Sequence, residues 1–154
     1  MIQKIQLHAI KYLNKRTTFV FILCSMCYLS SHAQKMKKLL NKELIAKVGT
    51  VYEETPDDNP CAGSQIYLAF LFDKKQVQVS EIEVSSCDKE TLHIIGTYTW
   101  KLLCTKEVKI DFDPVTTEGT YAENIALKIQ DKQLIGTSTH LNGQVIEYIF
   151  KEKK

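Results

Sequence analysis

From Thr50 onward the apolar residues of this chain recur with a period of two. That is the spacing of a strand with one buried and one wet face, not of a helix. Val108, Ile110 and Phe112 share one parity, with Lys109 and Asp111 between them, and Ile125, Leu127 and Ile129 repeat the pattern around Lys128. Leu92, Ile94, Tyr98, Trp100 and Leu102 form a longer series of the same kind. Besides the run that opens at Thr50, seven others cover 65–72, 76–84, 91–104, 107–112, 124–130, 133–141 and 144–151. Eight strands of this sort, joined mostly by hairpin-length connections, predict an all-β, antiparallel up-and-down β-barrel. Longer polar connections fall at 53–64 and 113–121.

Four local features refine that reading. Leu40, Leu44 and Val48 at i, i+4, i+8, with Leu39 and Ile45 beside them, predict a short N-terminal amphipathic helix over 35–48, stopped by Gly49. Both parities of the second run are apolar (Ile66, Leu68, Phe70, Phe72 and Tyr67, Ala69, Leu71), which predicts cover on both faces, with that helix as the cover. In the third run Val77 and Val79 give way to Ile82 and Val84, a phase slip expected of a β-bulge near Ser80 or Glu81. Asn142-Gly143 predicts a two-residue type I′ turn, which would set His140 opposite Val145, Thr137 opposite Tyr148 and Gly136 opposite Ile149.

The first 33 residues read differently. Lys4, Lys11, Lys15 and Arg16 precede an apolar run, Thr17 to Leu29, and Ser31-His32-Ala33 places small residues three and one positions before a bond. This is the pattern of a secretory signal peptide, 1–33, cut before Gln34, leaving one domain over 34–154. The apolar run is shorter than the roughly 20 residues a membrane-crossing helix needs, so no stable membrane insertion is expected after cleavage. An uncleaved anchor or a buried N-terminal helix is the alternative. Loss of four basic residues leaves 16 lysines facing 18 acidic residues, a net of −2, and removes Arg16, the only arginine. A chain with no guanidinium for bidentate phosphate or base contacts is a poor nucleic-acid binder.

Export makes the cysteines informative. Cys61, Cys87 and Cys104 remain in the mature chain. A hairpin centred on Lys74 pairs positions whose numbers add to 148, and Cys61 and Cys87 satisfy that sum, so a disulfide between them would close the open end of the hairpin. A bridge over such a loop stabilises a domain by on the order of 3 kcal/mol. Cys104 shares parity with Trp100 and Leu102 and reads as a buried thiol.

No motif for chemistry stands out. His93 and His140 lie in different runs with no metal-ligand spacing, so neither a metal nor a cofactor is expected. Glu81/Glu83 and Asp111/Asp113 are i, i+2 carboxylate pairs, which could serve acid/base chemistry or a hard cation but on strands are more often the solvated face. No phosphate loop, dinucleotide fingerprint or nucleophile elbow occurs, so the chain does not read as an enzyme. The aromatic residues, among them Phe70, Tyr98, Trp100 and Phe112, either fill a core or line a pocket.

Val48-Gly49-Thr50, Cys61, Phe70 to Lys75, Cys87, Gly96-Thr97-Tyr98-Thr99-Trp100, Leu134-Ile135-Gly136 and Glu147 to Lys151 together resemble the small lipocalin-like domains of exported bacterial proteins. The resemblance spans nearly the whole mature chain. It departs at Val51, where lipocalins tend to carry a tryptophan after the first glycine. It implies a barrel around a small hydrophobic ligand, without catalysis, in the periplasm or secreted, with Phe70, Tyr98, Trp100 and Phe112 as lining. The rival expectation is a protein-interaction module, an inhibitor or immunity-type protein with a filled core, acting through edge strands or the 53–64 loop.

Overall fold

A computed structural model describes residues 39–52, 61–139 and 143–153. The expected signal segment, most of the 53–64 connection, His140 and Asn142 lie outside the described residues. Eight antiparallel strands follow one another around a closed barrel. They are β1 (Glu43–Val51), β2 (Ser64–Phe72), β3 (Gln76–Ser85), β4 (Glu90–Leu102), β5 (Glu107–Ile110), β6 (Ala126–Gln130), β7 (Gln133–Thr139) and β8 (Val145–Glu152). One short helix, α1 (Pro114–Thr117), sits in the connection between β5 and β6.

The all-β barrel agrees with the alternation, and the local corrections to it have physical causes. The stretch expected to close the N-terminal helix is strand: Glu43–Val51 pairs with β2 and, through Leu44 and Ile45, with β8. Leu44 and Ala46 are buried while Lys47 is exposed. A spacing of four is also a multiple of two, so Leu40, Leu44 and Val48 fit a strand as well as a helix, and barrel closure decides between them.

The β2–β3 ladder runs without interruption from Ser64↔Ser85 to Phe72↔Val77, so β3 has no bulge against β2 and its hairpin turns on Lys74-Lys75. The irregularity lies in β4, where Val79 pairs with Gly96 and the next residue, Ser80, pairs with Ile94. Ile95 is the extra residue. Beyond it the parity of β4 inverts, so Tyr98 and Trp100 are buried whereas Leu92 and Ile94 are 54% and 62% exposed. The phase slip in β3 is therefore a change of environment. Val77 and Val79 are inward and fully buried, and further along the same face Glu81 and Glu83 stand opposite Leu68 and Ile66. The cover expected on both faces of β2 is uneven: Ala69 is buried, whereas Leu71 is exposed.

At the last hairpin, Gly136 pairs with Tyr148 and Thr139 with Val145. That is one residue away from the pairing a two-residue Asn-Gly turn imposes. The observed register places Leu134, Gly136, Tyr148 and Phe150 on the buried side together. A slip by one residue would turn Phe150 outward, and the cost of exposing it outweighs the preference of a turn.

The core is densest at the end of the barrel with the short turns 73–75, 103–106 and 131–132. Phe72 stacks beside Phe70 and meets the Trp100 ring edge-on at 4.9 Å, and Phe70 meets Phe150 at 5.1 Å. Trp100 Nε1 donates to the Asp73 carbonyl at 2.8 Å, tying β4 to the β2–β3 turn. Gly136 is required by this packing, since a Cβ there would lie 2.9 Å from both Ile125 Cδ1 and Phe150 Cε2. Gly136→Ala is expected to cost about 1–3 kcal/mol by overpacking, read as a lower urea midpoint at unchanged slope. An unchanged midpoint would contradict the close packing of β6 against β8.

Candidate ligand-binding site

Two seams in the barrel define where it is open. β5 and β6 pair only at Glu107↔Lys128 and Val108↔Leu127, and β1 and β8 only at Leu44↔Glu152 and Ile45↔Lys151. In both cases the pairs lie near the short-turn end and the ladder stops towards the other. The strands that continue past the β5–β6 pairs carry Ile110, Phe112 and Ile125. Residues Leu103, Val108, Ile110, Phe112, Ile125 and Leu127 line a groove of about 250 Å³ there. Phe112 and Ile125 also line a second hollow of about 460 Å³, bounded by Pro114, Val115, Thr117 and Ala122. The two share an apolar floor.

The roof of the second hollow is the 111–125 connection. Asp113 caps α1 by accepting from the Val115 N–H at 3.0 Å, and Pro114 at the first helical position needs no partner for an N–H it lacks. Thr117 is buried, and its hydroxyl donates to the Asp113 carbonyl. The Tyr98 and Thr116 hydroxyls share a hydrogen bond of 2.6 Å, and the Thr99 hydroxyl donates to Asp111 at 2.9 Å. These contacts hold the first half of the connection on β4.

Its second half reaches across to the far wall. The Tyr121 N–H donates to Glu81 of β3 at 2.8 Å, and the Tyr121 phenol lies against Gly49 of β1, where any Cβ would collide with it. Burial raises the Tyr148 phenol above its ordinary pKa, with Tyr121 adding to the effect. Ser64 Oγ donates to Glu83 at 2.5 Å on the same wall. Thus Glu81 and Glu83, whose i, i+2 spacing favours a solvated pair, bond to groups of the connection and of β2.

The four residues expected to line a pocket fall into two groups. Phe70 and Trp100 belong to the aromatic cluster at the short-turn end and are buried. Tyr98 and Phe112 meet edge-on at 5.2 Å beneath the connection, and Phe112 alone of the four lines both grooves. Ile110 and Ile125 show strand parity, but Tyr121 lies in a polar loop where no periodicity marks it.

The Cys61–Cys87 disulfide is present, with a Cα–Cα distance of 5.1 Å. Because the true pairing numbers add to 149, the two cysteines sit just beyond Ser64↔Ser85, where the hairpin ladder ends. Cys104 is a free, exposed thiol. β4 stops at Leu102, and residues 103–106 form a turn closed by Lys106 N–H to Leu103 O at 3.0 Å, so strand parity does not extend to position 104. His93 is exposed and stands opposite Glu81. Among the described residues no three His, Cys, Asp or Glu side chains converge to hold a metal, and no helix is long and apolar enough to cross a membrane.

Compared with protein-family models, curated proteins and solved structures, the chain matches none of them.

Proposed function

We propose that this protein is an exported, lipocalin-like binding protein that takes a small hydrophobic molecule between β5, β6 and the 111–125 connection, without catalysis. The observation that carries this reading is the β5–β6 seam, where the ladder stops and two grooves with polar rims meet over the apolar Phe112 and Ile125. A hollow roofed by a connection and floored by the half-buried Phe112 and the buried Ile125 is the kind of place small apolar ligands fill. The Cys61–Cys87 bridge supports export, since such bonds persist in oxidising compartments.

Native mass spectrometry of residues 34–154 after export, followed by titration with the neutral fluorophore N-phenyl-1-naphthylamine, tests the proposal. Saturable uptake is expected, with roughly tenfold weaker binding for Phe112→Ala, which removes apolar contact worth on the order of 1.4 kcal/mol. No bound mass and no uptake would sink it.

A protein-interaction module is the second reading, favoured by one observation. Phe70, Phe72, Leu68, Val77 and Val79 are almost completely buried, whereas Leu92 and Ile94 offer apolar surface on the outside of β4. A bare chain that captures a defined exported protein, and loses it on Ile94→Lys, would establish that reading.

A further inference from the structure

We infer that residues 119–124 are a hinged lid, held shut over the barrel mouth by Tyr121, and that opening this lid admits the ligand. The inference rests on the binding reading above, and concerns how that site is reached.

The segment is built to move as a unit. Within it Glu123 N–H donates to Thr120 O and Gly119 N–H to the Glu123 carboxylate at 2.8 Å, while Thr120 N–H and the Thr120 hydroxyl donate to Thr117 O and Ile125 N–H to Ala122 O across its two ends. At its two ends the backbone takes left-handed conformations, Gly119 at φ +73° and Asn124 at φ +58°. A Cβ at Gly119 would meet nothing within 4 Å, so this end of the segment is not packed against the barrel. Glycine and asparagine are the residues that enter this region at least cost, which suits them to absorb a change of direction.

What holds the lid shut is limited. Among the described residues, one hydrogen bond joins 119–124 to the barrel wall, from Tyr121 N–H to Glu81. Apolar contact comes from Ala122, which is fully buried, and from the Tyr121 ring on Gly49. Tyr121 itself remains 37% exposed. Releasing one small side chain and one partly exposed ring costs far less than opening strands that bury Phe70 or Val79, so this segment belongs to the low-stability end of the molecule. The first half of the connection, by contrast, is anchored through Thr116–Tyr98, Asp111–Thr99 and the buried Thr117. The result is a fixed arm and a moving tip. Lifting the tip moves Ala122 away from the hollow it shares with Phe112 and Ile125.

Hydrogen exchange on the full exported chain, together with stopped-flow uptake of N-phenyl-1-naphthylamine, tests this. The Tyr121 amide is expected to exchange at least a hundredfold faster than those of Phe70 and Val79. Tyr121→Ala, and separately Glu81→Ala, should accelerate probe uptake roughly tenfold while leaving exchange at Phe70 and Val79 unchanged. Exchange of Tyr121 at the rate of the barrel amides would overturn the lid, and so would wild-type uptake rates in both variants. The wild-type exchange measurement decides the question even where a variant fails to fold. Fast exchange at the tip with no probe uptake by any variant would keep the lid and overturn the binding reading instead.

Discussion

Phe70→Ala should lower the unfolding free energy by about 3–5 kcal/mol, the largest effect expected of any single side-chain truncation in this barrel. Phe70 is completely buried, lies 6.0 Å from the Phe72 ring and meets Phe150 of β8 edge-on. It bridges strands that are not neighbours in the ladder, β2 and β8, so its removal leaves a void that no single strand shift can fill. Ordinary domains have only about 5–15 kcal/mol in hand, so the variant would approach unfolding at room temperature. Urea denaturation of Phe70→Ala beside Phe70→Leu, which retains most of the volume, provides the comparison. A loss below about 1 kcal/mol for Phe70→Ala would mean that the short-turn end is hollow, and would return Phe70 to the set of ligand-lining residues.

The second large effect is expected from the disulfide. Replacing both Cys61 and Cys87 by serine should remove about 3 kcal/mol and lower the melting temperature by about 10–20 °C. The bridge closes a segment with a sequence separation of 26, which includes the whole β2–β3 hairpin, and it does so where the ladder ends. Without it the denatured chain regains the freedom of that loop. Cys104→Ser should fall within about 0.5 kcal/mol of the parent, as exposed positions usually do. A destabilisation by Cys104→Ser comparable to that of the double variant would contradict the exposed placement of that thiol.

These expectations separate what is local in this protein from what is not. The strands from β2 to β8 were legible because alternation is a local consequence of the pleat, each of Val108, Ile110 and Ile129 reporting its face whatever its partners are, whereas β1 was legible only at Thr50 and Val51. The disulfide was legible because a hairpin relates two positions by simple arithmetic, and a shift of one residue at the turn leaves both cysteines at its open end. The candidate site was legible in part. Tyr98 and Phe112 carried a periodic signal, whereas Tyr121 acts through a backbone N–H and a contact with Gly49, 72 positions earlier in the chain. No local pattern records a contact of that range.

The sequence by itself determined the strand number and the antiparallel barrel and suggested the cysteine pairing, since each follows from spacings within one or two adjacent strands. Tertiary structure decided the rest. Closure of β1 against β8 made a strand of residues whose four-residue spacing suits a helix equally well. A single extra residue at Ile95 turned Leu92 and Ile94 outward, because faces are inherited from the partner strand and not from the run itself. At the β7–β8 hairpin the burial of Tyr148 and Phe150 overrode the turn that Asn142-Gly143 favours. In each case one local preference competes with burial of several large side chains, and the larger free energy sets the outcome.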